Sequence, residues 1–171
     1  MDLIPFSDPL LKEIPMEFDF EKEDAKKISD DLTAAMLKLG GAGLSANQVG
    51  LDLAVFVMGG FGGIKTRAMF NPKIQSVSDE KVVMQEGCLS YPGLKLSLNR
   101  PAECAISYQD VDGNVVVDKL TGIEARVALH EYDHMMGVNF TMRASKIKLQ
   151  RAMKKLDKKV KKYKRRMNGG L

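Results

Sequence analysis

The sequence predicts an α+β fold: a mainly antiparallel sheet packed around a central helix that carries HEYDH, with an N-terminal helix and a basic C-terminal helix. Three observations predict it. Hydrophobic periodicities run in the order helix, several strands, helix, helix. Asp112-Gly113 is a hairpin turn signal between two strand-like runs, so those runs pair antiparallel. The stretch 121–137, which contains HEYDH, has helical rather than alternating apolar spacing.

The elements follow in order. Residues 19–41 read as a helix, with Ala25, Ile28, Leu32, Ala35, Met36 and Leu39 at helical spacing and Gly40-Gly41 as its stop. Acids crowd its start, where the helix dipole is positive. GGAGLSANQVG (40–50) is expected to be a glycine-rich turn. LAVFVM (53–58) is a buried-strand pattern, followed by a loop over 59–65. RAMFNP (67–72), KIQSVS (73–78) and KVVMQEG (81–87) read as separate short strands, and 88–101 as irregular. ECAISYQ and NVVVDKL are the hairpin strands. In the following helix Ile123, Val127, Leu129, Tyr132 and Met136 supply apolar positions, and Gly137 ends it. The last helix spans 146–167, with Leu149, Met153, Leu156, Val160, Tyr163 and Met167 as an apolar stripe on a basic surface.

At 171 residues the chain suits one domain. Residues 1–144 are read as its catalytic part, and 145–171 as a basic amphipathic helix and tail belonging to the same domain. No apolar run reaches the roughly 20 residues a membrane span needs. The start, MDLIPFSDPLLKEIP, has neither the pattern of a secretory signal nor that of a transit peptide. Cys88 and Cys104 cannot build a disulfide framework, so a cytoplasmic location is expected. The net charge of +4 conceals an asymmetry. Arg143 to Arg166 holds 13 Lys+Arg against Asp157 alone, leaving 13 basic and 21 acidic residues elsewhere. Such a tail is a solvated helix face or a surface for an anionic partner, nucleic acid or membrane.

The chain has only two histidines, His130 and His134. Four apart on a helix, they share a face and can reach one metal ion, with Glu131 placed as general base. A catalytic metal site takes three protein ligands and an open position. No third histidine exists, and Asp157 is the one acid after His134. The third ligand must therefore lie upstream, and the cysteines are the leading candidates. Cys104 lies in an apolar strand pattern and reads as buried and inert. Cys88 follows a strand break at Gly87, where sites tend to be built, and is preferred.

These residues resemble the peptide deformylase family. Its three motifs occur here in order: GAGLSANQ (Gly41–Gln48), with Ser45 where the family has alanine; EGCLS (Glu86–Ser90); and HExDH (His130, Glu131, Asp133, His134). Looser similarity extends the match to about residues 3–140. Leu129 stands where the family has Gln, and Met135-Met136 where Leu is common; neither position is a ligand or the base.

The resemblance implies metal-dependent removal of the formyl group from the formyl-methionine of nascent chains. It implies Cys88, His130 and His134 as ligands and Glu131 as the base. It implies the Gln48 side-chain amide and the Leu89 N–H as oxyanion donors, with Ala42, Gly43 and Gly87 pairing with N-formylmethionyl peptides. It implies Fe²⁺ as the native ion, with Zn²⁺, Ni²⁺ or Co²⁺ as substitutes, and allows the basic tail to dock on the ribosome. Val127 is a candidate wall of the methionine pocket. Asp133 has no role derivable from sequence, and Tyr132 reads as packing. Two other functions compete. One is an HExxH endoprotease, which the missing downstream ligand disfavours. The other is a non-catalytic ribosome- or nucleic-acid-binding protein with a closed structural site, which would need Cys104 as a fourth ligand.

Overall fold

A computed structural model describes residues 1–168 of the chain. Helix α1 is Ala25–Lys38, shorter at its start than the sequence pattern suggests. Asp24 is its N-cap and accepts from the Lys27 N–H at 2.9 Å, so the preceding acids lie outside the helix rather than in its first turn. Leu32, Ala35 and Met36 are buried. Leu39, expected in the apolar face, is the C-cap and is exposed.

The glycine-rich segment is more ordered than a turn. It forms β1 (Gly43–Ser45) and then a 3-10 turn, Ala46–Val49. Strand β2 (Val55–Met58) is buried at all four positions. The two short strands expected over 67–78 are one continuous strand, β3 (Arg67–Val77). It accommodates Pro72 because the ladder to its neighbour shifts register between Phe70 and Lys73, where the missing N–H costs nothing. Asn71 turns the chain there with φ 50°, and its side chain bonds both the N–H and the carbonyl of Phe18.

Strand β4 (Lys81–Glu86) pairs with β5 (Leu96–Pro101) as a separate two-stranded ribbon. The expectation of an irregular 88–101 is corrected by β5, whose Leu96, Leu98 and Arg100 point inward in alternation. β6 (Glu103–Gln109) and β7 (Val115–Thr121) are the expected hairpin. The main sheet is antiparallel throughout, in the order β1-β2-β3-β6-β7.

Helix α2 (Gly122–Met135) lies between the layers. Every residue from Ala125 to Glu131 is buried, so it packs on nearly all sides. Ile123 and Met136, expected to be apolar contacts, are exposed at its ends. Tyr132 packs against the cluster that α2 makes with the sheet. Gly137 stops the helix with φ 65°, at a point where an added Cβ would meet the Lys12 carbonyl oxygen at 2.5 Å.

Helix α3 (Lys146–Asn168) docks by its first half only. Leu149, Ala152 and Leu156 pack on the cluster of Cys88, Leu94, Leu96, Leu98 and Phe140. Val160, Tyr163 and Met167, read as part of the apolar stripe, are exposed because the helix continues past the body, and Met153 is exposed although it lies in the docked half. Gly169 to Leu171, part of the predicted tail, lie outside the described residues. No helix among the described residues is long and apolar enough to cross a membrane.

Candidate active site

Two elements meet at one point. Cys88 leaves the end of β4 just beyond Glu86, and His130 and His134 project from α2. The ligand atoms of Cys88, His130 and His134 all lie within 4.8 Å of one another. Cys88 Sγ is 3.5 Å from His134 Nε2. Ligands of one tetrahedral ion held at 2.0–2.3 Å stand roughly 3.5 Å apart, so thiolate and two imidazoles in this arrangement fit a Zn²⁺- or Fe²⁺-type cation.

Each imidazole is prepared differently. His130 Nδ1 is 2.9 Å from Glu86 Oε2, which leaves Nε2 as its ligand atom. Burial opposes a charge on His130, but the hydrogen bonds to Cys88 and Glu86 outweigh it and push its pKa up to about 10. A cation held by these three side chains would take the place of that proton. Burial, followed by the charge of His130, pushes His134 down to about 3, so it is neutral and free to ligate. Its Nδ1 is buried without a partner among the described residues.

Glu131 is 4% exposed, and its Oε2 is buried and unpartnered among the described residues. Desolvation raises its carboxyl to about 7, against the opposing charges of His130 and Arg100. Its other edge leans on β1: a Cβ at Gly43 would meet Glu131 Oε1 at 2.5 Å. That contact, rather than a turn conformation, requires the glycine.

Gln48 is 1% exposed and fixed from both ends. Its Oε1 accepts from the Ser45 N–H and the Ser45 hydroxyl, each at 3.0 Å. Its Nε2 donates to Ser90 Oγ at 2.9 Å and toward Cys88 Sγ at 3.3 Å. Ser45, the departure from the family motif, thus adds a second donor to the amide oxygen. Asn47 Nδ2 donates to the His134 carbonyl at 3.0 Å and ties this turn to α2.

A cleft of about 410 Å³ opens over the cluster. Ala42, Gly43, Gly87, Leu89 and Val127 all line it, together with Gln48, Cys88, His130 and Glu131. Every sequence-predicted site residue except His134 therefore borders one cavity, and His134 lies just beneath it. Cys104 does not join them. It is buried in β6 within the cluster behind α2, where burial pushes its thiol up to about 11.

The sequence reading missed the support beneath Cys88, His130 and His134. Arg100 grips Glu86 with two bonds, Nε to Oε1 at 2.7 Å and NH2 to Oε2 at 3.0 Å. Its NH1 donates to Asp133 Oδ2 at 2.7 Å. Arg143 closes on the same Asp133 through Nε at 3.1 Å and NH2 at 2.5 Å. Asp133 thereby gains the role that the motif alone did not supply. Burial raises the Glu86 carboxyl, yet the hydrogen bonds from His130, Arg100 and Arg126 win and hold it at about 2. Glu86 was visible as the first residue of EGCLS, but Arg100 and Arg143 carry no local pattern.

With this geometry in hand, the comparisons with known proteins are specific. The family model described as polypeptide deformylase matches residues 1–150. The chain is 37% identical over 168 residues to a peptide deformylase of Maricaulis maris, covering 96% of each chain. It is 35% identical over 166 residues to peptide deformylase 1B, chloroplastic/mitochondrial, of Arabidopsis thaliana. That match covers 95% of this chain but spans 61% of the relative's length. The crystal structure of an Arabidopsis thaliana peptide deformylase 1B in complex with an inhibitor superposes with a TM-score of 0.84 at 34% identity, covering 98% of this chain and 94% of that one. The peptide deformylase of Thermotoga maritima superposes at 0.79 with 34% identity, covering 84% of this chain and 97% of that one.

Proposed function

The chain belongs to the polypeptide deformylase family, hydrolases that remove the N-formyl group from nascent peptides, and on that premise we propose how its own residues carry out the reaction. The observation that carries the reading is the convergence of Cys88, His130 and His134 on one point beneath a cleft that Glu131 and Gln48 border. A divalent cation held by those three ligands supplies Lewis-acid activation of water and of the formyl carbonyl. From the family resemblance we assign it as Fe²⁺, and thiolate and imidazole donors also accept Zn²⁺, Ni²⁺ or Co²⁺ as functional substitutes.

Glu131 takes a proton from the attacking water as the oxygen bonds to the formyl carbon. A carboxylate raised to about 7 is poised both to accept that proton and to give it back near neutrality. The oxyanion that develops is met by the Gln48 Nε2 amide, held in place by Ser45, and by the Leu89 N–H. Glu131 then protonates the leaving amine as its bond to the formyl carbon breaks, and formate departs. Ala42, Gly43 and Gly87 offer main chain to an N-formylmethionyl peptide, and Val127 forms part of the apolar wall for the methionine side chain.

Lys146–Asn168 is assigned to the same domain, and its basic outer half to a contact with ribosomal phosphates. Two free thiols suit a cytoplasmic location. The deciding assay is formate release from formyl-Met-Ala-Ser by anaerobically prepared Fe²⁺ or Ni²⁺ protein. Turnover that a metal-chelating hydroxamate blocks is the expected result. Cleavage of internal peptide bonds without formate would overturn the reading in favour of an endoprotease.

A further inference from the structure

Arg126 lies on α2 one turn before His130, is 4% exposed, and borders the cleft. Its guanidinium makes three bonds, all to the β4–β5 ribbon. NH1 donates to Glu86 Oε1 at 2.8 Å and to the Leu98 carbonyl at 3.1 Å, and NH2 donates to the Val82 carbonyl. The other oxygen of the same Glu86 faces His130 Nδ1. Two residues after Glu86 the ribbon delivers Cys88. One side chain on the histidine-bearing helix therefore clamps the strand that bears the thiol, through the carboxylate that orients the histidine. Arg100 grips Glu86 from within the ribbon, so Glu86 is held from both sides.

Resting on the ligand assignment above, we propose that Arg126 is a positioning residue for the metal ligands. It holds Glu86 with Oε2 toward His130 and sets the separation of Cys88 from His130. A lysine keeps the charge, but its single ammonium cannot reach the Glu86 carboxylate and two carbonyls on different strands together. A methionine keeps much of the stem and removes every bond.

The test loads Co²⁺ into wild type, Arg126→Lys and Arg126→Met. It reads the thiolate-to-cobalt charge-transfer band, the rate of Co²⁺ loss to excess EDTA, and the melting temperature. In the Zn²⁺-loaded proteins it also reads the ¹⁵N shifts of the His130 ring, whose Nδ1 shift reports the hydrogen bond to Glu86. Loss of an outer partner typically costs about 10–100-fold in metal affinity, so both variants should release Co²⁺ faster by that factor, methionine more than lysine. The His130 Nδ1 shift should also move as that hydrogen bond loosens. Release rates within about twofold of wild type with unchanged ring shifts, and only a lower melting temperature, would make Arg126 purely structural and overturn the proposal. If Arg126→Met fails to fold, Arg126→Lys decides by the same readouts. A wild type that binds Co²⁺ without the charge-transfer band would instead overturn the assignment of Cys88, and this proposal with it.

Discussion

A methyl group added at Gly43 would stand 2.5 Å from Glu131 Oε1 and 2.8 Å from its Cγ and Cδ. The carboxylate would have to move, and misplacing a reacting group by about 1 Å can cost on the order of 10²-fold. Gly43→Ala should therefore lower kcat/KM by about that factor while metal content, read by atomic emission, stays stoichiometric. Loss of metal in that variant would show that the contact does something else. The ligands themselves predict a different split. Cys88→Ala should bring bound metal to background, whereas Glu131→Ala should keep it and lose turnover by about 10²–10⁴-fold. A Cys88→Ala protein that retains stoichiometric metal refutes the ligand set. The second cysteine gives a pH test. With its thiol pushed up to about 11 by burial, Cys104 should resist iodoacetamide at pH 8 in the folded protein and react only as pH climbs toward that value. Mass spectrometry of the Cys104 peptide checks this, and labelling at pH 8 as fast as in the urea-unfolded chain would contradict it.

Helix α3 has two halves with different surroundings. Leu149, Ala152 and Leu156 cover the cluster that includes Cys88 and Phe140. Cutting the chain after Ser145 uncovers that cluster and should cost about 2–4 kcal/mol of stability from two partly buried leucines. Urea unfolding measures it. A truncated chain as stable as the full one would mean that the docking contributes nothing. The outer half can be tested without disturbing the inner. Replacing Lys161, Lys162, Lys164, Arg165 and Arg166 with Glu should leave formate release from a short formyl-Met peptide unchanged. Ribosome affinity at low salt should drop at least about tenfold, and its salt dependence should flatten. Unchanged affinity would remove the ribosome from the assignment.

Across the molecule, the layers are joined under the site by buried charges rather than apolar contact alone. Buried Glu86 from β4, Arg100 from β5, and Asp133 and Arg126 from α2 form one network, joined by the half-exposed Arg143 from the segment before α3. Removing one partner strands the others, so Arg100→Met should cost about 3–5 kcal/mol in urea unfolding of the metal-free protein. A loss under about 1 kcal/mol would show that Arg126 and Arg143 compensate. Much of this molecule was legible beforehand. HEYDH fixed the helix and its facing histidines, because an i, i+4 pair shares a helix face whatever surrounds it. The missing downstream ligand pointed to Cys88, and the β6–β7 hairpin announced itself through Asp112-Gly113. Strand β5 was hidden because LSLNR is short and follows Pro92 and Gly93. Strand β3 looked like two strands because Pro72 is tolerated only where a bulge removes its ladder bond. The stripe on α3 was overread because helical spacing tells which residues share a face, not how far the body extends beneath it. Composition, motif and spacing by themselves determined the fold class and pointed to the proposed ligand types and base. Only the tertiary structure decided which carboxylates and guanidiniums lie behind them, since Glu86, Arg100 and Arg143 come from elements other than the helix that carries Arg126 and Asp133. No local periodicity encodes which buried charge will face which.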